Sequence, residues 1–145
     1  MANAERTATT VWEGDLAHGS GTTSLKSGAT GDFPVTWASR TERSDGKTSP
    51  EELIAAAHSA CLAMNLSGVL GQEGITADSI DVSAEVTLST SAAGPEISGI
   101  DITLRAAVPG LDAARFAELA STAERTCPVS KALAATKITL DAALA

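Results

Sequence analysis

Two cysteines carry the chemistry this chain could perform, and they stand far apart in the sequence, at Cys61 and Cys127. Cys61 lies in an apolar stretch introduced by Ser49-Pro50-Glu51-Glu52-Leu53, and Cys127 opens Cys127-Pro128-Val129-Ser130. A helical cysteine and a second one before a proline are what a redox pair needs. The same two would serve as packing residues or as a structural disulfide. The thiolate is the reactive form; apolar burial raises a thiol pKa, and a nearby cation or a helix N-terminus lowers it. Cys61 is expected mid-helix, so its reactivity would require a cation, and Arg40, Arg43 and Lys47 precede the helix. Cys127, directly before Pro128, suits an N-cap position, where the helix dipole favours its thiolate. Local physics therefore nominates Cys127 as the more acidic thiol.

His58 stands three residues before Cys61 on the same helix face and could share a metal with it. Two ligands do not make a site. His18 and Cys127 are the sequence's only other His or Cys donors, so no metal is expected and His58 reads as a core or interface residue. Glu51 is offset from Cys61 by roughly 80° around the helix, whereas Glu52 is nearly opposite and is occupied by capping. Glu51 is thus the better acidic partner, yet about 15 Å of helix axis separates it from Cys61. Either a basic residue bridges the two, or Glu51 acts on Cys61 of a second subunit. The chain has no phosphate-binding loop, no Gly-x-Ser-x-Gly elbow and no Cys-x-x-Cys.

The elements that must position these residues are legible from caps and periodicity. Ser49 as N-cap, Pro50 at the first helical position and Glu52 completing a capping box predict a helix from residue 50 to about residue 70. Gly71 and Gly74 are its stop signals. Past its first turn it is apolar nearly all round, so it is expected to be buried with sheet or helix on several sides. Strand patterns occupy residues 7–12, 22–25, 33–37, 80–89, 97–108 and 137–144, with Pro34 demoting the third towards an edge. Glu13-Gly14-Asp15 is a turn signal, and residues 41–48 read as a loop. An amphipathic helix is expected over residues 112–124 and a short one over 129–134. The order βββ-α-ββ-α-α-β implies an α+β domain spanning residues 1–145, with antiparallel sheet packed against helices.

Composition narrows the partners. With two Trp, two Phe and no Tyr, the core must be built from Ala, Val, Ile and Leu, so oligomerisation would help this chain more than most. A net charge of −8 argues against nucleic acid and against anionic membrane surfaces. The apolar stretch 53–70 is interrupted by His58, Ser59, Asn65 and Ser67, which favours a core helix over a membrane span. The N-terminus shows no signal-peptide pattern, so a cytoplasmic location is expected, where persistent structural disulfides are rare.

The segments Ser49-Pro50-Glu51-Glu52-Leu53-Ile54-Ala55-Ala56-Ala57-His58-Ser59-Ala60-Cys61 and Cys127-Pro128-Val129-Ser130 resemble the OsmC/Ohr family of osmotically inducible and organic hydroperoxide resistance proteins. Val11-Trp12-Glu13-Gly14-Asp15 with Gly19 and Gly21, and Arg40 ahead of Gly46-Lys47-Thr48-Ser49-Pro50, resemble the OsmC branch. The resemblance runs from about residue 9 to the last strand. It implies an intertwined homodimer whose antiparallel sheets surround a long buried central helix. It also implies a peroxidase without metal or cofactor, acting on organic hydroperoxides or hydrogen peroxide. By position, Cys61 would be the peroxidatic thiolate, Cys127 the resolving thiol, Arg40 the activating cation (with Arg43 close by) and Glu51 its acidic partner. A dithiol reductant, lipoyl or thioredoxin-like, would restore the pair. The competing readings are a general thiol–disulfide oxidoreductase and a non-enzymatic, stress-related dimeric binding protein.

Overall fold

The computed structural model describes residues 7–13, 15, 18–28 and 31–145. The chain forms two compact units that divide between Pro50 and Glu51.

The N-terminal unit is an antiparallel sheet of β1 (Ala8–Glu13), β2 (Ser20–Leu25) and β3 (Phe33–Val35), in that order. The turn expected at Glu13-Gly14-Asp15 lies partly outside the described residues. Gly19, just before β2, has no room for a side chain: a Cβ there would collide with the carbonyl oxygens of Glu13 and Asp15. Pro34 sits on the outer strand, where its missing N–H leaves no ladder bond unmade. That strand is shorter than the sequence pattern predicts. It stops at Val35 because helix α1 (Trp37–Thr41) begins two residues later. Thr36 Oγ1 accepts from the Ser39 N–H and Ser39 Oγ accepts from the Thr36 N–H, both at 3.0 Å. This reciprocal cap carries Ser where the usual box has Glu or Gln, which is why the spacing does not announce it. Arg40 falls in the last turn of α1, with its guanidinium 5.8 Å from the centroid of the Trp37 ring.

The C-terminal unit holds most of the core. Helix α2 (Pro50–Gln72) runs past Gly71 and ends before Gly74, whose φ of 72° is a left-handed conformation that suits glycine. Strands β4 (Ser79–Ser91) and β5 (Gly94–Ala107) form a long hairpin, with a bulge at Thr87/Leu88. Helices α3 (Ala113–Thr126) and α4 (Pro128–Ala132) follow, and β6 (Ile138–Leu144) closes the chain. β6 pairs with β5 in parallel, from Ile100↔Ile138 to Ala106↔Leu144. The second sheet is therefore mixed rather than wholly antiparallel, since a connection through two helices returns the chain to the end where β5 began.

Every second residue of β5 from Ile100 to Ala106 is buried, as strand geometry requires of one covered face. These side chains share one core with Leu62, Leu66 and Leu70 of α2 and with Phe116, Leu119, Ala120 and Ala123 of α3. The expectation that α2 is buried on all sides is met on one stripe only within a single chain. Ala56, Ala57, Ala60, Met64, Ser67 and Gly68, recurring every three or four positions, are exposed, Met64 by 71%. α2 is long and apolar enough to cross a bilayer, with mean hydropathy 1.6 in its most apolar window. Its leucine stripe, however, belongs to a core shared with sheet and helix, which is the arrangement of a globular core helix.

Leu66 is fully buried at the centre of that stripe. Leu66→Ala is expected to lower the unfolding free energy by about 2–5 kcal/mol, through lost transfer energy and the residual cavity. A fall in urea midpoint without a change of slope would show it.

Candidate active site

The site forms where α2 meets the junction between α3 and α4. Pro128 begins α4, and Cys127 is both the C-cap of α3 and the N-cap of α4. At this break the Cys127 N–H turns to the Glu124 carbonyl at 3.2 Å, and the Ala123 carbonyl accepts instead from Asn65 Nδ2, at 2.6 Å. The same nitrogen donates to Thr126 Oγ1 at 2.8 Å. A helix end leaves its last carbonyls without helical partners, and Asn65 of α2 supplies one. Asn65 lies one turn beyond Cys61 on the same face, so this clamp also brings Cys61 to Cys127.

The two sulfurs are 3.3 Å apart and both thiols are free. Cys127 is 0% exposed, whereas Cys61, at the margin of the buried stripe of α2, is only partly covered. A disulfide requires the sulfurs to close by a further distance of about 1 Å, to roughly 2.05 Å. Behind the pair, His58 Nε2 lies 2.7 Å from Ser130 Oγ. His58 is 0% and Ser130 4% exposed. His58 Nδ1 has no hydrogen-bond partner among the described residues. No cluster of three His, Cys, Asp or Glu side chains that could hold a metal ion occurs among the described residues.

The environments of the two thiols pull them apart. Burial pushes Cys61 up; the Val129 backbone amide opposes this only in part, and the neighbouring Cys127 sulfur adds to the rise. Burial also pushes Cys127 up, but the Ser130 amide, the Cys61 thiol, the Ser130 hydroxyl and the Val129 amide outweigh it and bring the thiol below its ordinary value. These amides stabilise the anion without forming a full capping hydrogen bond. Geometry alone lets either sulfur donate across the contact. The surroundings thus favour ionisation of Cys127 over that of Cys61. Burial holds His58 below its ordinary value against the opposing influence of Glu124, so its imidazole is neutral.

Of the four residues singled out in sequence, the structure brings Cys61 and Cys127 together. Glu51, buried in the first turn of α2, stays about 15 Å of helix axis from Cys61. Arg40 belongs to the N-terminal unit, stacked on Trp37. Two residues carry more of the site than the sequence gave reason to expect. Ser130 sits three places beyond an N-cap cysteine, the spacing at which a capping partner is sought. Asn65 is a polar residue within an apolar helix, and such a residue must find a partner.

The sequence from residue 43 to residue 141 matches the family model described as OsmC-like protein. The chain is 46% identical over 130 residues to the protein named Peroxiredoxin OsmC of Escherichia coli K12, covering 90% of each chain. It is 35% identical over 88 residues to the Organic hydroperoxide resistance protein of Xanthomonas axonopodis pv. citri, covering 59% of this chain and 58% of that one. Among solved structures, the organic hydroperoxide resistance protein OhrB of Bacillus subtilis superposes with a TM-score of 0.71 at 26% identity, covering 96% of this chain and 98% of that one. An organic hydroperoxide resistance protein from Elizabethkingia anophelis shares the fold along the whole of both chains, at a TM-score of 0.76 and 21% identity. The mixed α+β fold and the extent of these matches agree, and the chain belongs to the OsmC family.

Proposed function

We propose that this protein is a cysteine-based peroxidase that reduces hydroperoxides, organic ones by preference, through a Cys61 sulfenic acid and a Cys61–Cys127 disulfide. The observation that carries this reading is the 3.3 Å contact between a partly exposed thiol and a fully buried one. A peroxide arriving from solvent meets Cys61 first, and Cys127 waits behind it. The relatives named as a peroxiredoxin and as an organic hydroperoxide resistance protein support the reaction class.

The Cys61 thiolate attacks the terminal peroxide oxygen; an S–O bond forms, the O–O bond breaks, and the alkoxide leaves as an alcohol after taking a proton. Cys127 then displaces the hydroxyl of the sulfenic acid, giving a disulfide and water. A dithiol reductant, lipoyl or thioredoxin-like, returns both thiols by exchange. The first step has a difficulty: the surroundings favour the anion on Cys127, while the attack needs it on Cys61. A cation beside Cys61 resolves this by drawing the charge across the contact, and Arg40 is the residue assigned that role, with Arg43 its alternative and Glu51 its acidic partner.

The active form is a homodimer in this reading. The exposed stripe of small residues and Met64 on α2 is a surface that a second copy would cover, and a second copy would place Glu51 near the other subunit's Cys61. A cytoplasmic setting suits free thiols.

Cys61→Ser should abolish consumption of cumene hydroperoxide. Cys127→Ser should lose turnover: one equivalent of peroxide gives the Cys61 sulfenic acid, and excess peroxide carries it on, one further equivalent per step, to sulfinic and sulfonic acid detectable by mass spectrometry. Activity persisting in Cys61→Ser would sink the assignment.

Arg40→Met removes the cation, so the Cys61 pKa rises and the pH–rate profile of peroxide consumption should move alkaline. Stopped-flow measurement should show a loss of about tenfold or more at neutral pH that narrows as pH rises. An unshifted profile would exclude Arg40 from this role.

A further inference from the structure

We propose that Ser130 and His58 form a hydrogen-bonded pair that positions the Cys127 sulfur and presents it as the attacking anion in the disulfide-forming step. The inference deepens the peroxidase reading and rests on it for its catalytic consequence. Neither residue touches the peroxide; both act through Cys127.

Cys127 has a problem that its burial creates. A thiol at 0% exposure is held neutral by desolvation unless donors face it, and a neutral thiol does not attack a sulfenic acid. Helix α4 is too short to supply a useful dipole, so the donors must be individual groups. Ser130, three residues beyond Cys127 at the start of α4, is one of them: its hydroxyl is among the groups that bring the Cys127 thiol down. The direction in which that hydroxyl points is decided by His58.

His58 Nε2 and Ser130 Oγ are 2.7 Å apart, and Nδ1 on the other side of the ring has no partner among the described residues. A buried N–H without an acceptor is rarer than a buried lone pair without a donor. The ring proton therefore belongs on Nε2, where it is donated to Ser130 Oγ, and Nδ1 carries the bare lone pair. With its oxygen occupied as an acceptor, the Ser130 hydroxyl donates onward to Cys127. The proposed chain runs from His58 Nε2–H, 2.7 Å from Ser130 Oγ, through Ser130 O–H to the Cys127 sulfur, which lies 3.3 Å from the Cys61 sulfur. The arrangement requires a neutral imidazole, in keeping with burial holding His58 below its ordinary range. Glu124 of α3 is the charged group that acts on His58, and Cys61 of α2 is the titratable group that faces Cys127, alongside the amides of Val129 and Ser130 in α4.

In the resolving step a Cys127 lone pair forms the S–S bond while the S–O bond of the Cys61 sulfenic acid breaks. The departing hydroxide takes up the proton that Cys127 released on ionising and leaves as water. The two sulfurs end at the disulfide level, with no further oxidant required.

The test has two arms. In a Cys61→Ser background, Cys127 is titrated by the ultraviolet absorbance of its thiolate, with no peroxide present. Ser130→Ala and His58→Leu should raise the titration midpoint by about one unit, a tenfold loss of thiolate below that midpoint. Ser130→Thr and His58→Gln, which keep a donor in place, should restore most of it. With Cys61 intact, single turnover with cumene hydroperoxide is followed as two steps, sulfenic acid formation by dimedone trapping and disulfide formation by loss of the second thiol. Disulfide formation should slow at least about threefold at neutral pH, because greater intrinsic nucleophilicity offsets part of the lost ionisation. Its pH profile should move alkaline with the titration. A packing role alone would lower stability and leave both profiles in place. Unchanged titration and unchanged disulfide rates in Ser130→Ala would overturn the proposal, and the Ser130 pair of variants decides it even if His58→Leu does not fold. A wild-type protein that consumes no peroxide would sink the peroxidase reading alone, with the titration arm still deciding the role of Ser130.

Discussion

The 3.3 Å contact between Cys61 and Cys127 joins residues 66 positions apart, and the C-terminal unit is built so that it can exist. The leucine stripe of α2 and the apolar face of α3 are fixed against the same side of β5, which sets the distance between the helices. Asn65 then locks the end of α3 by donating to the Ala123 carbonyl. Pro128 forces the chain to turn at that point, because it has no N–H to continue α3 and its fixed φ suits the start of a new helix. Cys127 is held in the turn and Cys61 one helical turn before Asn65. Neither sulfur is placed by its own segment alone.

Within that contact, exposure and ionisation favour different cysteines. Cys61 is the thiol that solvent reaches, and Cys127 is the thiol whose surroundings favour the anion. For a single catalytic cysteine this would be a contradiction. For the pair in the proposed peroxidase cycle it is a division of labour: the accessible sulfur would meet the oxidant and the buried one would close the disulfide before a second peroxide arrives. In that cycle the first step requires charge to be moved towards Cys61, which is the reason the proposed mechanism assigns it a cation, Arg40. The second step needs a donor at Cys127, the role proposed for the Ser130 hydroxyl, which lies 2.7 Å from His58 Nε2.

Much of this was legible in the sequence where local rules govern. The start of α2 at Pro50, the hairpin of β4 and β5 and the N-cap position of Cys127 follow from proline chemistry and period-2 alternation. What escaped was long-range or unusual. Helix α1 was hidden because its cap pairs Thr36 with Ser39, and the strand pattern extended to its first residue, Trp37. The parallel pairing of β6 with β5 depends on a crossover that no local pattern encodes. The all-apolar character of α2 suggested complete burial, but composition cannot say which chain covers which side, and one stripe is open in the single chain. In the site, the cysteines were visible by type. Asn65 and Ser130 were not, since their roles exist only once α2 meets the α3–α4 junction.

The central claim is that Cys61 and Cys127 of one chain are oxidised to each other by a hydroperoxide. The direct measurement is peptide mapping by mass spectrometry, without reduction, after fully reduced protein receives one equivalent of cumene hydroperoxide. The account predicts a single cross-linked peptide pair joining Cys61 to Cys127 within one chain, with loss of both free thiols and release of cumyl alcohol. Two free thiols with the peroxide intact, or a disulfide joining two chains, would contradict it.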